Sequence, residues 1–167
     1  MDQLIFVATM LAALGAALLA GNFFAFSTFL MKALKGLSAE RGIVAMQAIT
    51  MAIKSLSFLI VFFGTAVLSA VLAVAAILKY GTPGSCYLLA GSFLFLIGTF
   101  SVTMLRNAPL NRALTRTTPR SKEGRQMWKR FQSSWGMWNH VRSVTSLMAC
   151  ALFIMALVDG SNPFGTH

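Results

Sequence analysis

Four long apolar runs, about Leu4 to Met31, Ser55 to Leu78, Ser85 to Leu105 and Val141 to Val158, constrain this chain more than any other feature. As a helix, each reaches roughly the ~30 Å of bilayer hydrocarbon. Without water, a backbone must satisfy its own donors and acceptors, which leaves helices or closed barrels, and runs of this length select helices. Only 11% of the 167 residues are charged, against about 25% in an ordinary soluble domain. The four acids are Asp2, Glu40, Glu123 and Asp159. The expectation is an all-α protein: a four-helix transmembrane bundle in a single membrane domain over residues 1–167, with helices extended into the cytoplasm. The first run starts at residue 4 with no basic stretch before it, which reads as a mature helix rather than a cleaved signal.

The formal charge of +10 is distributed like a topology signal. Lys32, Lys35, Arg41 and Lys54 lie between spans one and two, nine more basic residues lie from Arg106 to Arg142, and Lys79 alone sits in the second connection. The positive-inside rule places the first connection and the basic connection 106–140 in the cytoplasm and both termini outside it, as for an integral protein of a bacterial inner membrane. Anionic lipid headgroups are the simplest partners of that charge. A nucleic-acid partner is not expected, because no binding fold or aromatic platform stands outside the membrane.

The connections carry local signals. Gly81-Thr-Pro-Gly84 reads as a tight outer turn joining spans two and three as an antiparallel hairpin. Ser38 and Glu40 read as a helix cap and a first-turn acid. From there Ile43, Val44, Met46, Ile49 and Ile53 continue an apolar pattern into span two with no Pro or Gly. Thr50 and Lys54 interrupt its hydrophobicity; unbroken from about residue 39 to 79, the helix would be roughly 60 Å long. Trp128, Phe131, Trp135 and Trp138 form an aromatic stripe before span four, expected to pack on the protruding half of that helix. Thr115 to Gly124, polar and holding Pro119, reads as a mobile loop. Ala13, Ala16, Ala17, Ala20 and Gly21 give span one a close-packing face, within the chain or in a homo-oligomer.

Chemistry gathers at the basic end. Trp135-Gly-Met-Trp-Asn-His-Val-Arg142 places Trp135, Trp138, Asn139 and Arg142 at i, i+3, i+4 and i+7, with His140 about 100° round from Asn139. Taken alone, Trp and Arg there are ordinary belt and flank residues. Arg106-Asn-Ala-Pro-Leu-Asn111 ends span three, with Asn107 and Asn111 four apart and Pro109 between them, expected to bend or end the helix. Gln47 is a third polar point at the same level, by itself most simply an interhelical hydrogen bond. No charged residue lies deep in a span, and Asn22 is the clearest mid-membrane polar group, which weighs against a transporter.

The carboxylate and histidine set of a metal oxygenase is missing, so no metal site is expected. His167 lies at the opposite face from His140, which disfavours bis-histidine haem, and a single-His haem through His140 stays open. Cys86 and Cys150 form no Cys-x-x-Cys pair and read as small apolar residues.

Phe24-Ala-Phe-Ser27, Met46-Gln47, Phe63-Gly-Thr65, Asn107-Ala-Pro-Leu-Asn111 and Trp135-x-x-Trp-Asn-His-x-Arg142, in this order on four spans, resemble the anthrone oxygenase-like family of small integral membrane proteins. The chain departs from the family pattern at Thr50, where Asn is common, and around Ser55 to Ser57, where Pro is common. The resemblance implies the four-span fold and oxygen-dependent oxidation of a hydrophobic polycyclic or phenolic small-molecule substrate, of the kind that turns an anthrone methylene into a quinone carbonyl. A deprotonated anthrone is electron-rich enough to reduce oxygen itself, so no cofactor is expected. On that reading His140 is the base. Asn107, Asn111, Asn139 and Gln47 donate to developing oxyanions, and Arg142 or Arg106 offsets their charge. Trp135 and Trp138 stack the ring system. The alternative is a non-enzymatic membrane protein holding a lipid, quinone or partner helix in the same pocket.

Overall fold

A computed structural model describes residues 2–160. Five helices make up the fold among these residues: α1 Gln3–Lys35, α2 Ala39–Ala52, α3 Leu56–Leu78, α4 Ser85–Thr115 and α5 Lys122–Gly160. All except α2 are long and apolar enough to cross a membrane, so the protein is an all-helical membrane protein. At 39 residues α5 is about 58 Å long, and at 33 residues α1 is about 50 Å. Both exceed the ~30 Å hydrocarbon core and carry their basic ends beyond it.

The spans form a closed ring in which α1 packs on α3 and α5, and α4 packs on the same two helices. Gly81 and Gly84 take the positive φ values of 87° and 82° that the turn between α3 and α4 requires, so the expected hairpin is present. The small-residue face of α1 is used inside the chain: Ala12, Ala13, Ala16 and Ala20 are buried, and Gly15 sits against Thr65 of α3 so closely that a Cβ would collide with its hydroxyl. Ala17 and Gly21 stay exposed. Thr99 of α4 hydrogen-bonds both Thr145 (3.0 Å) and Ser146 (2.8 Å) of α5, tying the two helices together inside the bundle.

Two apolar clusters result. One fills the bundle with Leu19, Phe23, Phe62, Leu72, Phe95 and Phe153. The other lies at the basic end, where Ile43 and Met46 of α2 pack on Trp128, Phe131 and Trp135 of α5 with Phe26, Met31 and Leu114. This is the expected packing of the aromatic stripe. Trp128 stacks on Phe131, which stacks on Trp135, at centroid distances of 5.8 and 5.4 Å. Ser38 caps α2 by accepting from the Arg41 N–H, and Glu40 in its first turn pairs with Arg120 at 2.6 Å.

Two expectations are corrected. The helix from residue 39 to 79 is broken at 53–55, where Ser55 is extended (φ −60°, ψ 147°). Thr50 bonds back to the Met46 carbonyl, and the Lys54 and Ser55 N–H groups bond three residues back, so the helix tightens and stops. The break lets α2 fold across the end of the bundle and bury Ile43 and Met46, which a straight continuation would leave in water. Conversely, Pro109 does not end α4. Wide π-helical turns over Leu94–Ser101 and Thr103–Asn107 precede it, so its missing donor falls where the α-helical ladder has already shifted, and α-helix resumes at Ala108. The polar connection shortens accordingly to residues 116–121.

Candidate functional site

Between the two apolar clusters lies a layer of buried polar groups centred on Arg142. Its side chain points into the bundle and is 5% exposed, unlike an ordinary arginine on the flank of a span. Nη2 donates to Asn139 Oδ1 at 2.7 Å, Nη1 reaches Thr103 Oγ1 at 3.4 Å, and the guanidinium lies 4.1 Å from the Phe23 ring centroid and 5.4 Å from that of Trp135. Among the described residues no carboxylate pairs with it. The positive charge is therefore held by amide, hydroxyl and aromatic rings alone.

Asn139 fixes this arrangement. Fully buried, its amide donates to the Phe23 carbonyl and to Ser27 Oγ, both at 2.8 Å, while its oxygen accepts from Arg142. The donations reach α1 beside its own π-helical turn, Phe26–Leu30, so a widened turn in α1 and another in α4 (Thr103–Asn107) stand on either side of the α5 residues. Asn107, also fully buried, donates to the Trp135 carbonyl at 3.2 Å.

Polar atoms left over converge on one place. Arg142 Nε, Trp135 Nε1, Asn111 Oδ1 and Asn22 Nδ2 are buried without a hydrogen-bond partner, and all four residues line one cavity together with Phe23, Phe26, Met46, Thr50 and Ile53. Asn107 Oδ1 is unpaired as well. Buried polar atoms are normally satisfied, so such a cluster marks a place for a ligand's polar atom. The cavity is about 30 Å³, room for a water or a substituent and not for a ring system. Beside it runs a groove of about 410 Å³ between the α2–α3 break and α4, walled by Phe58, Leu59, Phe62, Met104 and Ala108, with Lys54, Arg112 and Arg116 at its basic end. Thr50, Ile53 and Asn111 belong to both spaces.

Residues 58–152 match the sequence pattern of the family described as Anthrone oxygenase, more than half of the chain. The chain belongs to the anthrone oxygenase family. Comparison with curated proteins and with solved structures finds no match. The anthrone oxygenase match contains Asn107, Asn111, Trp135, Asn139 and Arg142, whereas Asn22, Phe23 and the whole of α2 lie before it.

The other candidate residues stand apart from the cavity. Gln47 donates through Nε2 to the carbonyls of Leu114 and Thr117, both at 2.9 Å, and so closes the end of α4. Trp138 is half-buried with the Arg106 guanidinium 5.0 Å over its ring, off the aromatic stripe. His140 is exposed and lines a separate groove with Ser27, Lys32, Lys35, Gln132 and Gly136; Phe26 forms a wall of both spaces. One step along α5 turns its ring about 100° away from Asn139. Phe23 and Thr103 were not singled out in the sequence, because a phenylalanine or threonine inside a span carries no signal of its own, and Thr50 was noted only as a departure from the family pattern. Among the described residues no three His, Cys, Asp or Glu side chains gather, and Cys86 and Cys150 are free thiols. His167 lies outside the described residues.

Proposed function

We propose that this chain catalyses oxygen-dependent oxidation of a flat, hydrophobic phenolic or polycyclic substrate with an acidic methylene, as the family description suggests. The observation that carries the reading is the buried Arg142 guanidinium, which has no carboxylate partner and lines a polar cavity opening beside an apolar groove. A groove of about 410 Å³ is within the usual range for a small-molecule ligand and takes the rings, entering from the bilayer. The substrate's oxygen-bearing edge passes Asn111 into the cavity, where the Arg142 Nε–H and Trp135 Nε1–H meet the charge of the enolate.

The stoichiometry needs no outside reductant. The methylene loses both hydrogens, its carbon takes one oxygen atom of dioxygen to become a carbonyl, and the other oxygen leaves as water. All four electrons come from the substrate. The protein's contribution is to make the carbanion accessible, and a positive charge in a water-poor site does that by stabilising the conjugate base before and during proton loss. Asn139 positions Arg142 and does not itself face the cavity. His140 lines a separate groove beyond Phe26 and has no part in this reading.

The test is turnover by purified protein supplied with a model anthrone, with oxygen uptake and quinone absorbance followed together and metal content recorded. One oxygen consumed per quinone formed supports the reading. A ligand that binds in the groove and never reacts would favour a membrane protein that holds a lipid or quinone there.

A further inference from the structure

The groove that holds His140 is unrelated to the cavity chemistry, and its lining has a pattern of its own. Lys32 and Lys35 lie one turn apart on α1, while Gln132, Gly136 and His140 follow one another at intervals of four along α5. Five hydrogen-bond donors, those of Ser27, Lys32, Lys35, Gln132 and His140, surround a space of about 180 Å³, and no Asp or Glu lines it. The side chains of Lys32, Lys35, Gln132 and His140 have no hydrogen-bond or ionic partner among the described residues. The floor is Gly136, where an added Cβ would meet no neighbouring side chain within 4 Å. Packing does not demand glycine there, and glycine is a poor residue for a helix interior. Its effect is to leave the floor of the groove open.

The surroundings say what fits. Towards the membrane, the i+4 continuation of the α5 row is Val144 and Met148, 55% and 50% exposed. On α1 the corresponding positions are Thr28, exposed, and Phe24, 59% exposed. A basic, donor-rich pocket without a carboxylate, at the end of an apolar exposed track, is complementary to a phosphate attached to an acyl chain. We propose that Lys32, Lys35, Gln132 and His140 form a binding site for the phosphate of an anionic phospholipid, with Gly136 providing the space and the α1–α5 track carrying an acyl chain. The proposal stands independently of the catalytic reading.

The experiment is native mass spectrometry of the intact protein released from mixed phosphatidylglycerol and phosphatidylcholine micelles, with thermal unfolding measured in parallel. The expected result is retention of one phosphatidylglycerol in preference to phosphatidylcholine. Lys32→Gln and Lys35→Gln should each weaken retention about fivefold. Gly136→Leu, whose Cβ meets no neighbouring atom within 4 Å, fills the floor and should abolish it while leaving the unfolding temperature in lipid-free detergent unchanged or raised. The charge-matched single control Lys129→Gln, outside the groove, should retain lipid like the parent. Equal loss in the control and in the groove variants would assign the effect to bulk surface charge and overturn the site. Full retention by Gly136→Leu would overturn it too. Stabilisation by inorganic phosphate equal to that by phosphatidylglycerol would refute the lipid as occupant.

Discussion

Replacing Arg142 by Met separates the catalytic reading from a structural one, because the two predict opposite balances of stability and turnover. The substitution removes a charged hydrogen bond to Asn139 at 2.7 Å, worth about 1.5–3 kcal/mol. It also removes a desolvated cation–π contact with Phe23 at 4.1 Å, worth about 2 kcal/mol. The Thr103 contact at 3.4 Å is long and adds little. Against these stands the cost of burying a guanidinium with no counter-charge, several kcal/mol for an ion taken out of water, which an unbranched apolar side chain of similar reach avoids. These opposing contributions nearly cancel, so the unfolding free energy of Arg142→Met should stay within about 2 kcal/mol of the parent. Turnover should fall about 10²–10³-fold, the usual consequence of removing a donor aimed at a developing oxyanion. Because the charge grows as the proton leaves, the loss should appear in kcat more than in KM. Thermal unfolding in detergent and quinone absorbance at saturating model anthrone measure both quantities on one preparation. Turnover at the parent rate would refute the assignment. Destabilisation beyond about 3 kcal/mol, with binding and fold lost in step, would make Arg142 a structural residue.

Other positions are expected to respond differently. Gln47→Leu removes the side-chain donor from the Leu114 and Thr117 carbonyls, of which Leu114 keeps the Thr117 N–H, and should cost about 1–3 kcal/mol of stability, seen as a lower unfolding temperature, with kcat little changed in the folded fraction. His140→Ala should turn over near the parent rate; a direct base would cost about 10²–10⁴-fold, and a loss of that size across the pH range would restore the imidazole to the chemical step. Thirteen basic residues in the first and third connections and their flanks, against one in the second, predict a C-terminus outside the cytoplasm, and reporter fusions with a cytoplasmic C-terminus would reverse the orientation.

The spans, the outer turn and the contact between α2 and the aromatic stripe were legible because each follows from a repeat: apolar length, Gly-x-Pro-Gly, or a 3-4 spacing. The same arithmetic does not settle where the stripe continues. On an ideal helix Trp138 and Asn139 lie about 50° to either side of the mean direction of Trp128, Phe131 and Trp135. The packing decides: Asn139 is buried, and Trp138 sits half-buried on the flank under Arg106. For Arg142 the resemblance implied a place in the pocket, and its position alone did not. An arginine at the start of a span already satisfies the topology rule, and the widened turns in α1 and α4 beside it have no residue that announces them. The decisive omission was the break at 53–55. No Pro or Gly stands between Ile43 and Ser57, which reads as continuity, yet the chain breaks there. That single boundary places Thr50 and Ile53 on the wall of the polar cavity and Ile53 and Lys54 along the adjoining groove. A helix running straight through would leave Arg142 without that wall. The break is made here without proline, by Thr50, Lys54 and Ser55, so that the site depends on where one helix stops as much as on the residues that line it.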